Sequence, residues 1–168
     1  MNYAKINTHD VANGPGVRVS VFVSGCEHRC PGCFNKQTWD FGYGQEFTFD
    51  VIREVAELGE PGYIKGLSIL GGEPLHEKNL LGTMHLATVW KMYHPGKPIW
   101  VYTGYRWEDI DPDYKRLVLP YFDVLVDGPF IEAEKDLSLR FRGSRNQRII
   151  DVKKSLATGE VVLWEVEE

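Results

Sequence analysis

Residues 18–33, RVSVFVSGCEHRCPGC, run a β-branched, partly alternating strand pattern, Arg18 to Ser24, straight into a cluster of cysteines. Pro15-Gly16 ahead of it suits a type II turn. Reading outward, Val51, Ile52, Val55, Ala56 and Leu58 recur at helical spacing, with Thr48 or Asp50 as N-cap and Gly59 as the stop. Gly66 to Leu70 (GLSIL) reads as a short apolar strand. It leads into Gly71-Gly72-Glu73-Pro74 and a helix from Asn79 to Tyr93 that ends before Pro95-Gly96. A third strand, Ile99 to Thr103, meets Gly104-Tyr105, and a short helix over Asp113 to Leu119 precedes a fourth strand, Asp123 to Asp127. Such alternation predicts parallel strands joined by right-handed helical crossovers. Four units are too few to close an eight-unit barrel, so the expected fold is α/β, an open, partial βα barrel. Ligands in parallel α/β sheets bind at the C-terminal strand ends, and that is where the cysteines, Gly71 to Pro74, Thr103 to Tyr105 and Asp127-Gly128 all fall. In the tail, Phe141 to Gln147 reads as loop and Glu160 to Glu165 as a final strand.

The length of 168 residues fits one domain over residues 1–168, and no repeat, low-complexity tract or linker divides it. Apolar residues at 43% and charged residues at 26% exclude disorder, collagen and coiled coil. A net charge of -5 argues against nonspecific nucleic-acid binding as the main task. No apolar run reaches the roughly 18 residues of a spanning helix, so a cytoplasmic protein without a membrane partner is expected.

The chain has three cysteines, Cys26, Cys30 and Cys33, an odd and tightly clustered set that is no disulfide framework. Their spacing, C-x3-C-x2-C, admits three chemistries. Three thiolates can hold a four-iron cluster and leave one iron open for a substrate. Zinc can take the three sulfurs with His28 as the fourth ligand. Cys30-Pro31-Gly32-Cys33 can act as a redox pair, which leaves Cys26 without a role. The zinc reading gives the glycine-rich strand ends no ligand, and His28 reads more naturally as a solvent-facing or hydrogen-bonding residue. Gly71 and Gly72 allow close backbone approach to a ligand, and a carboxylate or carbonyl beside them can accept from an ammonium group. Taken alone, they are an ordinary glycine turn. Arg140, Arg142, Arg145 and Arg148 offer a basic segment for docking or anion binding, although each individually reads as solvated. Trp39, Trp100, Trp107 and Trp164 read as packing residues.

The cysteine motif after the first strand, with Gly71-Gly72-Glu73-Pro74 after the second, resembles the radical S-adenosylmethionine superfamily. NGPGVR (Asn13 to Arg18), FVSGCEHRCPGCFNKQTW (Phe22 to Trp39), WVYTGY (Trp100 to Tyr105), VLVDG (Val124 to Gly128) and RGSRNQ (Arg142 to Gln147) are similar, more narrowly, to the glycyl-radical activases of anaerobic class III ribonucleoside-triphosphate reductases. Gly32, rather than an aromatic residue, precedes the third cysteine and Phe34 follows it, a pattern that also fits this narrower group. The resemblance implies a [4Fe–4S] cluster on Cys26, Cys30 and Cys33, with S-adenosylmethionine chelated at the open iron. It further implies cofactor contacts at Phe34, Gly71, Gly72 and Glu73; Thr103 and Asp127, by their place at later strand ends, are candidates for ribose, carboxylate or cation contacts. Reductive cleavage would give a 5′-deoxyadenosyl radical that takes a hydrogen atom from a glycine of the reductase large subunit. The implied electron donor is a low-potential protein such as flavodoxin.

Overall fold

Val19, Val21 and Val23, alternate residues of β2 (Val17–Val23), are completely buried, and the strand they belong to organises the sheet. The computed structural model describes residues 1–165. β2 pairs in parallel with β4 (Ile64–Gly71), β4 with β5 (Ile99–Tyr102) and β5 with β6 (Val124–Asp127). These are the four strands of the sequence pattern, shifted by a residue or two at their ends. Gly16 has φ +72, as the glycine of a type II turn requires.

The sheet is wider than expected, and mixed. β1 (Asn2–Asp10) lies antiparallel to β2, and the two-residue β3 (Gln45–Glu46) lies antiparallel to β1. At the opposite edge β7 (Arg148–Asp151) lies antiparallel to β6, giving the order β3-β1-β2-β4-β5-β6-β7. β7 and the helix α4 (Val152–Thr158) replace the final strand expected at Glu160 to Glu165. That stretch makes only an isolated bridge, Leu163 to Ile150, because Gly159 in the left-handed region ends α4 and Trp164 turns in to pack edge-on against Trp100. The arrangement is a single α/β domain with a largely parallel open sheet, consistent with a partial barrel. Residues 166–168 of the expected domain lie outside the described residues.

Strand alternation gives the sheet two different faces. α1 (Phe49–Leu58), capped by Thr48 and closed at Gly59, and α2 (Glu77–Tyr93) cover one face; Ile52, Val55, Leu86 and Trp90 are buried with the β2 valines, Leu67, Ile69, Ile99 and Val101. Burying such side chains stabilises by about 1.5–3 kcal/mol each. The other face carries Trp100, Val124, Val126 and Ile149, covered partly by Phe141 and Trp164. α3 (Pro112–Leu117) completes the β5–β6 crossover, with Asp111 as its cap.

Asp123, just before β6, ties this frame together. Its carboxylate accepts from Lys91 of α2 at 2.7 Å and from the Ile99 amide at 2.8 Å, and it pairs with Lys153 of α4 at 2.7 Å. Burial alone would raise its pKa, but the hydrogen bonds from Lys153, Lys91 and Ile99 outweigh burial and lower it. A lowered folded-state pKa contributes stability above the unfolded value that is lost as pH falls through the folded one. Asp123→Asn should therefore cost about 1–2 kcal/mol at pH 7 by urea denaturation. Its deficit against the parent should shrink as pH drops below the ordinary carboxylate pKa of 3.8.

Candidate active site

At the end of β2 the chain turns through Ser24-Gly25 into the cysteines. The Gly25 amide donates to Thr38 O at 2.7 Å and the Cys26 amide to Trp39 O at 3.1 Å, so both ends of the 26–39 loop are fastened together. Within it the Cys33 amide donates to Cys30 O at 3.1 Å, and the Cys33 sulfur accepts from the Asn35 amide at 3.4 Å. None of the three thiols is in a disulfide. Burial pushes the Cys26 thiol up to about 11 and the Cys30 thiol upward as well.

The Gly71 to Pro74 turn packs against the start of this loop. Gly71 has φ +107, and a Cβ at Gly72 would stand 2.6 Å from the Gly25 carbonyl oxygen. Sequence reasoning assigned these glycines to close approach of a ligand. The structure shows close approach to the chain's own β2 end, with the Gly72 amide donating to Val23 O at 2.7 Å and the Glu73 amide to Gly25 O at 2.8 Å. Asn79, which sequence reasoning took only as a helix start, donates its side-chain amide to the carbonyls of Ser24, Gly25 and Glu73. Its signal was an Asn at the head of α2, where His76 rather than Asn79 supplies the cap.

Glu73 is only 1% exposed. Its Oε1 accepts from the Leu75 amide at 2.9 Å and the Thr103 hydroxyl at 2.8 Å. Its Oε2 accepts from the Gly104 amide at 2.8 Å and lies 2.8 Å from His28 Nε2. One carboxylate thus joins the cysteine loop, the β4 turn and the end of β5. His28 has the hydrogen-bond partner expected of it, through Nε2.

A cavity of about 420 Å³, within the size range of small-molecule sites, opens on the helix-free side. Cys26, Cys30 and Cys33 border it together with Phe34, Gly71, Gly72, Glu73 and Thr103. Asp127 is not among its lining residues. It is buried, accepts from the Trp107 amide at 2.7 Å and from Arg148 Nε at 3.0 Å, and leaves the neighbouring Gly128 to face the cavity. Tyr102 and Phe130, which were not assigned to a site from sequence, also line it, as does Arg142 of the basic segment. The thiols are distributed along its wall; among the described residues no three His, Cys, Asp or Glu side chains converge as a site for one metal ion. Three thiols bordering one cavity, none of them in a disulfide, supply the donor set that a four-iron cluster with one open iron takes. On these observations the residues present fit such a group.

Comparison with known proteins agrees. The family described as a 4Fe-4S single cluster domain matches residues 12–150. The chain is 43% identical over 151 residues to the anaerobic ribonucleoside-triphosphate reductase-activating protein of Vibrio cholerae serotype O1, covering 89% of this chain and 97% of that one. The protein of the same description from Enterobacteria phage T4 is 43% identical over 152 residues, covering 89% and 93%. That from Escherichia coli strain K12 is 42% identical over 149 residues, covering 88% and 96%.

If the Glu73 carboxylate is chiefly a latch between strand ends, its loss must be felt before any cofactor is present. Glu73→Gln turns one acceptor oxygen into a donor facing another donor. It should lower the stability of the metal-free protein by about 2–4 kcal/mol in denaturant titrations. Unchanged metal-free stability would mean that the latch contributes little.

Proposed function

The chain belongs to the anaerobic ribonucleoside-triphosphate reductase-activating proteins, a 4Fe–4S family, and from that premise we propose that Cys26, Cys30 and Cys33 hold the cluster and that the adjoining cavity takes S-adenosylmethionine. When bound, this pair supplies reductive cleavage of the sulfonium to methionine and a 5′-deoxyadenosyl radical, which takes a hydrogen atom from a glycine Cα of the reductase large subunit. The observation that carries the reading is the meeting of all three thiols with the Gly71-Gly72-Glu73 turn on one cavity wall.

The chain's own residues act by holding and excluding. The loop fastened by the Gly25 and Cys26 amides presents the thiols as a fixed set, which lowers the ordering cost of loading. Glu73 spends its acceptors on the chain, so it positions the glycine turn, and an ammonium group at the turn is left to backbone carbonyls. Thr103 donates its proton to Glu73 and accepts from the Tyr105 amide at 3.1 Å, which leaves its oxygen one lone pair to accept from a hydroxyl such as a ribose 2′- or 3′-OH. Phe34, 65% exposed at the cavity mouth and 5.8 Å from the Phe130 ring, offers an apolar face for adenine. Asp127 acts at one remove, by fixing the end of β6 through Trp107 and Arg148.

Three anionic thiolates make a cluster hard to reduce, which supports a low-potential donor of the flavodoxin type. Free cysteines suit a reducing compartment, which supports a cytoplasmic location. Among the described residues no helix is long and apolar enough to cross a membrane.

Anaerobic protein reconstituted with iron and sulfide, then mixed with reductant, S-adenosylmethionine and the reductase large subunit, should yield a glycyl radical in electron paramagnetic resonance. Absence of that signal from a mixture that does cleave S-adenosylmethionine would reject the assigned partner. Cys26→Ala, Cys30→Ala and Cys33→Ala should each bring methionine release to background, since each thiolate serves a different iron. Substantial release from any one of them contradicts the ligand set.

A further inference from the structure

The four arginines between positions 140 and 148 have separate fates. Arg145 pairs with Asp136 at 3.0 Å, and Arg148 forks between Asp127 and Glu108. Arg140 is exposed, its guanidinium 5.5 Å from the Phe141 ring centroid. Arg142 is half-buried and borders the cavity that holds the cysteines. Its Nη1 donates to Gln147 O at 2.6 Å, and no carboxylate pairs with it among the described residues.

The loop beneath Arg142 is rigidly tied. Gln147 accepts from the Gly143 amide at 2.9 Å and donates to Gly128 O at 3.1 Å, while Asn146 donates to Pro129 O at 2.7 Å. The carboxylates that border the cavity are already committed, Glu73 to its own four donors and Asp136 to Arg145 and Ser138. Leu70, Tyr102, Phe130 and Phe141 make much of the remaining wall apolar. An anionic group entering such a space needs a charge-assisted donor, and a preorganised guanidinium is suited to a planar carboxylate.

We propose that Arg142 binds the α-carboxylate of S-adenosylmethionine. The inference rests on the reading that this cavity takes S-adenosylmethionine, and goes beyond it by assigning the residue that distinguishes the amino-acid end of that molecule.

The test is equilibrium binding to the cluster-loaded protein without reductant, so that nothing turns over. The two probes are S-adenosylmethionine and its decarboxylated form, which lacks only the group in question. Arg142→Ala should weaken S-adenosylmethionine about 10- to 100-fold and the decarboxylated form less than about 2-fold. Arg142→Gln keeps a donor for the Gln147 carbonyl but not the charge and should show the same selective loss. Arg142→Lys should retain part of the discrimination, and Arg140→Ala all of it. Equal weakening of both probes by the Ala and Gln variants would make Arg142 a structural residue and overturn the proposal, as would unchanged affinity for both. If the unaltered protein binds S-adenosylmethionine, such results sink this inference alone; if it binds neither probe, the reading of the cavity falls with it.

Discussion

Glu73 sits where three chain segments end, and its one carboxylate is bonded to all three. A carboxylate removed almost wholly from water is costly unless each oxygen is served, and here each oxygen has two partners. The partners come from different places: His28 in the cysteine loop, Leu75 after the β4 turn, Thr103 and Gly104 after β5. Removing any one donor leaves a buried carboxylate oxygen under-satisfied, whereas removing the carboxylate strands all its donors at once, so the set behaves as a network. The geometry of the thiols is therefore tied to the end of β5, which contributes no cysteine.

The second constraint is topological. Parallel pairing of β2, β4, β5 and β6 brings their C-terminal ends to one edge of the sheet, so residues far apart in sequence share a cavity. The antiparallel strands on either side lengthen the sheet without adding such ends. They contribute in a different way: β7 carries Arg148, which fixes Asp127 at the end of β6, and it anchors the loop that presents Arg142. With helices on one face only, the opposite face stays open at the level of Leu70 and Tyr102, both of which border the cavity.

Much of this was legible because it rests on local rules. The Thr48 cap and Gly59 stop of α1, the apolar run of β4 and the glycine turn after it each declare themselves within a few residues. The cysteine spacing admitted three chemistries, and the order of motifs along the chain, by resemblance, singled out one of them and the family. β1 was not legible, since NYAKINTHD is mostly polar and its residues are largely half-exposed beside a minimal edge strand. β7 was missed because a four-residue strand between loop and helix carries too little pattern, while EVVLWE carries a strand pattern that its tertiary setting overrides. The role of Glu73 was only partly readable. A carboxylate after two glycines suggests a ligand acceptor, and only the fold shows that its acceptors are spent on four groups of the chain. The same holds for the arginines, where pairing across 9, 21 and 40 positions decides which are committed.

The two ends of the parallel strands are closed in contrasting ways, and the contrast separates scaffold from site. Towards the N-terminal end, Arg18 is completely buried and donates to Ser68 Oγ at 2.8 Å, Leu67 O at 2.8 Å and Pro98 O at 3.0 Å, joining the start of β2 to the middle of β4 and to the residue before β5. Gly66 is needed there, since a Cβ would stand 2.4 Å from the Pro98 oxygen and 2.6 Å from the guanidinium. Burial lowers the Arg18 pKa to about 10, which leaves it charged at neutral pH with carbonyls and a hydroxyl as its direct acceptors. There the guanidinium is spent on the chain itself. Glu73 makes the corresponding junction at the C-terminal end, yet the thiols and Arg142 beside it still have coordination and charge to offer. A buried side chain at each end ties the same three strands, Arg18 by donating and Glu73 by accepting, and the cavity that the three thiols border lies at the Glu73 end.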